Sequence, residues 1–132
     1  MPYSTRALAG KVILVAEDQY MLADAIEAAI RSAGGEVQGP FPSAKDALDH
    51  LSGAERQPDA AALNIRLLDG ESYPVADELG RRGVPYVFAS GNSIESLPTR
   101  FARVPLVAKP YAAHQVVQAL TALLDTAETS TG

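Results

Sequence analysis

The sequence predicts an α/β fold, one parallel sheet covered by helices on both faces, and three observations carry that expectation. Four short apolar runs, Lys11–Ala16, Ala60–Leu63, Val84–Ala89 and Val104–Ala108, each end abruptly in polar residues. The runs are apolar throughout rather than alternating, as in strands buried on both sides. Between them lie stretches with apolar residues at helical spacing, so strand and helix alternate about five times along the chain.

Taken in order, the first strand Lys11–Ala16 leads into Glu17-Asp18 and then a helix. Met21, Leu22, Ala25, Ile26, Ala29 and Ile30 form its expected apolar stripe. Gly34-Gly35 ends that helix, because glycine takes the left-handed conformation common at helix exits. Glu36–Gly39 reads as a short second strand. Ser43 is placed to cap a second helix with Ala44, Ala47, Leu48 and Leu51 on its core face. Ala60–Leu63 is the third strand and ends at Asn64. Asp69-Gly70 is a turn signal before a third helix, which starts near Ser72, accepts Pro74 in its first turn and buries Val75 and Leu79. Val84–Ala89 is the fourth strand and ends at Ser90. Ser93–Arg100, interrupted by Pro98, is the weakest helical pattern. Val104–Ala108 is the fifth strand, ending at Lys109-Pro110. A fifth helix from about Ala112 carries Val116, Val117, Leu120, Leu123 and Leu124 on one face. Residues 10–125 thus form one domain, between a polar N-terminal segment 1–9 and a tail 126–132 that are both expected to fray.

Bulk properties narrow the function. A chain of 132 residues with 47% hydrophobic content suits one domain with a sizeable core. The net charge of −5 disfavours nonspecific binding to nucleic acid or anionic membrane. The absence of cysteine excludes disulfides, thiol catalysis and cysteine metal sites. No apolar stretch approaches the roughly 20 residues of a membrane span, and Met1–Gly10 lacks the apolar core of a secretory signal. A cytoplasmic location is the resulting expectation.

In an open parallel sheet the carboxyl ends of the strands share one edge, where ligands bind. An acidic pair (Glu17, Asp18), an amide (Asn64), a hydroxyl (Ser90) and a lysine (Lys109) should therefore meet in one cleft. That ordered set, carried by "ILVAEDQ", "PDAAALNIRLLDG", "PYVFASG" and "LVAKP", resembles the receiver domain of two-component response regulators over nearly the whole chain. The resemblance implies a flavodoxin-like (βα)5 three-layer sandwich with strand order 2-1-3-4-5. Since only a few residues follow the fifth helix, it also implies a stand-alone receiver in a phosphorelay.

The family pattern has a phosphate-accepting aspartate where this chain has Asn64. Receivers hold magnesium with the acidic pair, the acceptor and one backbone carbonyl. Carried over, the ligands are Glu17, Asp18, Asn64 and the carbonyl of Arg66, and hard oxygens suit that ion. By themselves Glu17 and Asp18 are read first as acids at a helix N-terminus, and it is the presence of Lys109-Pro110 that favours the site. Asn64 lacks the charged oxygen that attacks phosphorus, so the implied magnesium site is weakened and phosphorylation is not expected. Asn64 can alternatively be read as a loop cap bonded to Lys109. Lys109, before Pro110, matches the lysine that pairs with acceptor and phosphoryl group, and a surface lysine beside a turn proline is the plain alternative. Ser90 matches the switch hydroxyl, or simply closes its strand. The switch aromatic falls at position 106, where this chain has Leu106. His50 and His114 stand alone and read as surface residues.

The resemblance thus implies a degenerate receiver, a pseudo-receiver with no enzymatic activity of its own. Its partners would be proteins: a histidine kinase, a phosphotransfer protein or a downstream regulator. The family's usual contact face, built from the fourth helix, fifth strand and fifth helix, could also support a homodimer. Two alternatives stay open. One is a working phosphate shuttle or sink using another residue or a deamidated Asn64. The other is a small flavodoxin-like enzyme or nucleotide binder, though no residues nominate a reaction.

Overall fold

The computed structural model describes residues 6–90, 97–108 and 113–131. Across them the chain runs β1 (Val12–Ala16), α1 (Tyr20–Ser32), β2 (Glu36–Phe41), α2 (Ala44–Gly53), β3 (Ala60–Leu63), β4 (Arg66–Leu67), β5 (Gly70–Glu71), α3 (Tyr73–Arg81), β6 (Tyr86–Ser90), a single 3₁₀ turn Thr99–Phe101, β7 (Leu106–Ala108) and α4 (Ala113–Thr131). Strands β2-β1-β3-β6-β7 form one parallel sheet, which is the expected 2-1-3-4-5 order once the separate β4–β5 hairpin is set aside.

The uniformly apolar strands are buried on both sides. Every residue of β1 and β3 is buried. Side chains alternate across the sheet, so Leu14, Ala16, Ala61, Leu63 and Phe88 join Ala47, Leu51, Val75 and Leu79 of α2 and α3. Ile13, Val15, Ala60, Ala62 and Val87 meet Ile26, Ile30, Val116 and Leu120 of α1 and α4 on the other face. Four rings knit the α3 side. Phe88 meets Phe101 edge-on at 5.4 Å, and Tyr73 stacks on Phe101 at 5.1 Å and meets Phe88 at 6.3 Å. Tyr86 completes the group, 5.7 Å from Phe88.

Several sequence expectations are corrected. Leu8, expected to fray, is fully buried on the α1–α4 face, and its amide donates to the Ala33 carbonyl at 2.8 Å. α4 continues through Thr131 into the segment read as a loose tail. β2 extends to Phe41, two residues beyond its expected end, through a cis Gly39-Pro40 bond. The α1 stripe is rotated: Ala23, Ile26 and Ile30 are buried while Met21 and Ala25 face solvent. At about 100° per residue Met21 sits roughly 140° around the helix from Ile26. His50 is half-buried, its ring 5.0 Å from that of Phe41. Of the expected fourth helix Ser93–Arg100, residues 93–96 lie outside the described residues, and beyond Pro98 the chain forms only the 3₁₀ turn Thr99–Phe101.

Gly39 shows why the edge strand can bend at the site. Its φ is +99°, and a Cβ there would lie 2.8 Å from the Val15 carbonyl oxygen and 2.7 Å from the Phe41 nitrogen. Only glycine meets both demands.

Candidate functional site

Backbone register brings the site together. Ala16 pairs with Leu63 across β1 and β3, so the next residues, Glu17 and Asn64, emerge side by side. The Asn64 amide donates to the Ala16 carbonyl at 2.8 Å, and the Glu17 amide to the Phe41 carbonyl at 2.9 Å. Both side chains are shielded, Glu17 being 3% and Asn64 6% exposed. Asp18 is half-buried beside them.

The side chains then close on one another. Asn64 Nδ2 donates to Glu17 Oε2 at 3.0 Å and to Asp18 Oδ1 at 3.1 Å. Ionised carboxylates only accept, so the amide must present its NH₂ end to them and not its oxygen. Glu17 Oε2 also accepts from the Gln19 amide at 3.1 Å, which orients the carboxylate as α1 begins. One neutral amide therefore bridges two acids in a largely buried setting, where hydrogen bonds to charged groups are strong.

The loop after Asn64 is tied down at several points. β4 and β5 form a small hairpin, where the sequence showed only a turn at Asp69-Gly70. Asp69 accepts from the Ala44 amide at 2.8 Å and the Lys45 amide at 3.0 Å, so it caps α2 together with Ser43, whose Oγ takes the Asp46 amide at 3.1 Å. The Ala44 bond, then the Lys45 bond, holds the Asp69 carboxyl below its usual range. The Leu68 amide donates to the Pro42 carbonyl at 3.1 Å, and the Ser72 amide to that of Ile65 at 2.7 Å.

Among the predicted site residues, Glu17, Asp18 and Asn64 are brought together. Arg66 opens the hairpin two residues further on, with its side chain in solvent. Ser90 ends β6 and pairs with Ala108, which places its backbone at the same carboxyl edge. Leu106 starts β7, is half-buried and packs on the Phe88 side of the core. Lys109 and Pro110 lie outside the described residues. No group of three or more His, Cys, Asp or Glu suited to a metal ion occurs among the described residues. A cavity of about 260 Å³ opens beside the acids, lined by Glu17, Asp18, Tyr20, Asp24, Glu27, Pro40 and Pro42. Tyr20 and Met21 at the start of α1, and Leu68 at the hairpin tip, were not singled out by sequence as surface residues. They are the large hydrophobic residues left exposed among the described residues.

No family model matches the chain, and neither does any curated protein. Solved structures do. SdrG from Sphingomonas melonis Fr1 is 34% identical, with 89% of this chain and 98% of that one covered at a TM-score of 0.72. The response regulator PhyR from Brucella abortus is 24% identical at a TM-score of 0.78, with 96% of this chain covered. The present chain spans only 52% of that PhyR chain. The signal receiver domain of a modulated diguanylate cyclase from Desulfovibrio desulfuricans G20 matches at 23% identity and a TM-score of 0.76, over 91% of this chain and 98% of that one. The chain belongs to the receiver domains of two-component response regulators. Among the described residues no helix is long and apolar enough to cross a membrane.

Proposed function

We propose that this receiver takes no phosphate at residue 64 and signals through protein contacts. The observation that carries the reading is the double donation from Asn64 Nδ2 to Glu17 and Asp18. An amide nitrogen facing the acids is no nucleophile, because its lone pair is delocalised into the carbonyl. The amide oxygen is neutral and cannot form the acyl phosphate that a carboxylate forms.

The same contact bears on magnesium. Glu17, Asp18, the Asn64 oxygen and the Arg66 carbonyl are hard oxygen donors of the right kind, and a bound ion would supply charge neutralisation in the cleft. To offer its oxygen, Asn64 would have to turn its amide over and give up both hydrogen bonds. The site therefore fits the ion weakly: two charged ligands remain, and the third position competes with a contact already made. Ser90 and Lys109 keep the residue types that contact a phosphoryl group in the family, while Leu106 supplies no ring to couple with Ser90. The surface presented to a partner is accordingly constant in its chemistry. The partner is a signalling protein: a kinase, a phosphotransfer protein or a downstream regulator.

Intact-mass analysis after incubation with acetyl phosphate and magnesium tests the proposal. Wild type should show no added phosphate, while Asn64→Asp should gain one. Phosphate on the wild-type chain, at residue 64 or a neighbour, overturns it.

A further inference from the structure

The turn Thr99–Phe101 is too short to hold itself. Pro98 enters it in an extended conformation, with φ −56° and ψ 147°, and only three residues close into the 3₁₀ turn. So short a piece has poor hydrogen-bond geometry and little cooperativity, and its order comes from what it touches. Two neighbouring side chains supply that order. Phe101 is 2% exposed, held between Tyr73 and Phe88. Arg100 lays its guanidinium over the Phe101 ring at 4.4 Å and makes a two-pronged pair with Asp77 of α3. Its Nε donates to Asp77 Oδ1 at 3.1 Å and its Nη2 to Oδ2 at 3.0 Å. Exposed ion pairs usually contribute little, but a forked arginine–carboxylate pair stacked on a ring is the geometry that does contribute. The Arg100 hydrogen bond holds the Asp77 carboxyl below its usual range, so the pair stays charged at neutral pH. Among the described residues most ion pairs join positions three or four apart, whereas this one spans 23 and ties two elements together.

We infer that Arg100 and Asp77 form a latch that pins the Thr99–Phe101 turn to α3 and keeps the approach to β7 in one conformation. The inference rests on the constant-surface reading above and gives it a mechanical cause. Leu97, Val104 and Leu106 are partly buried against the same core as Phe101, so the latch restrains the chain on both sides of the turn. The Val104 amide returns to the Phe101 carbonyl at 3.0 Å, which carries the restraint to the residues just before β7. Leu106 offers no ring to follow a movement at Ser90. The position of the turn is therefore set from α3 and not from the carboxyl-edge cleft.

Amide hydrogen exchange of the whole chain, read by NMR, tests the latch. The reporters are the Phe101, Ala102 and Val104 amides, bonded to the Pro98, Thr99 and Phe101 carbonyls at 3.0 Å each. Asp77→Asn and Arg100→Gln should each speed exchange there about fivefold. Combined, they should be no faster than either alone, because both remove one interaction. Arg100→Lys keeps the charge without the fork and should lose most of the protection. The Leu120 and Leu124 amides of α4 should keep wild-type rates in all three single variants. Asp49→Asn, which breaks the exposed pair with Lys45 on α2, should leave the turn unchanged. Asn64→Asp carrying phosphate should also keep wild-type rates at the turn, and acceleration there would show that the cleft moves it. That result, unchanged exchange in Asp77→Asn and Arg100→Gln, effects that add in the double variant, or equal acceleration in α4 would each overturn the latch. A failed latch with wild type still inert to acetyl phosphate removes this inference alone. Phosphate uptake by wild type removes the inert-receiver reading, whatever the exchange pattern.

Discussion

Replacing Asn64 with Asp changes the chemistry of one side-chain atom and should cost stability that depends on pH. The amide now makes bonds of 3.0 and 3.1 Å to Glu17 and Asp18. Hydrogen bonds to charged groups contribute about 1.5–3 kcal/mol each. A new carboxylate in the same place would instead face two like charges. At ~4 Å and an effective dielectric of ~20, each pair would repel by up to about 4 kcal/mol. Taking up a proton is the easier outcome, so the new carboxyl should have a folded-state pKa well above its unfolded value of ~3.9. Protonated, it restores one donor of the original two. The expected net loss is about 2–4 kcal/mol near pH 7, or roughly 10 °C in melting temperature for a domain of this size. The sign is set by the raised pKa. The variant's stability is retained below the unfolded pKa and lost as pH rises through the folded one, so its deficit relative to wild type grows from pH 4 to pH 7. Melting both proteins across that range, with and without magnesium, measures it. Magnesium should recover much of the variant's deficit by binding only the folded state and should do little for wild type. A deficit that is absent, or flat with pH, would show that the amide bridge does not hold the two acids as argued.

Other positions make independent tests. Asp69→Ala should speed hydrogen exchange at the Ala44 and Lys45 amides, which lose their acceptor. Because those amides lower the Asp69 carboxyl pKa, wild type should lose this contribution as pH falls from ~3.9 through the lower folded value. Urea melts of the variant should lack that acid step. Phe88→Ala should cost about 3–5 kcal/mol by denaturant titration, since Phe88 is fully buried among Phe101, Tyr73 and Tyr86. Gly39→Ala should destabilise by at least about 1–3 kcal/mol, from a strained positive φ and a Cβ driven into Val15 and Phe41. A neutral effect there would mean that the end of β2 relaxes freely.

The part of the fold legible in the sequence was mostly the part that backbone periodicity controls. Uniformly apolar runs marked the strands, and a parallel sheet forces their carboxyl ends onto one edge, so Glu17, Asp18 and Asn64 could be grouped from the residues alone. Which end of the Asn64 amide faces the acids was not legible, because it depends on distances of a few tenths of an ångström between side chains 46 and 47 residues apart. Asp69 was visible as a turn but not as the cap of α2, a contact spanning 25 residues that no local pattern encodes. Leu8 looked like part of a polar tail because a single apolar residue has no periodicity to read. Met21 matched the helical spacing of the core stripe. Its exposure depends on the rotational setting of α1, which Ala23, Ile26 and Ile30 determine by packing.

The anchoring of the loop after Asn64 bears on how such a site can change over generations. Asp69, Leu68, Ser72 and the Asn64 backbone fix the loop through bonds that make no use of the residue 64 side chain. The shape of the cleft is thereby uncoupled from the identity of its central group. Asparagine and aspartate codons differ by one base, so a lineage carrying this loop could silence or revive the acceptor in a single mutational step without rebuilding the scaffold. The barrier to reversal would be the local cost of crowding three acids.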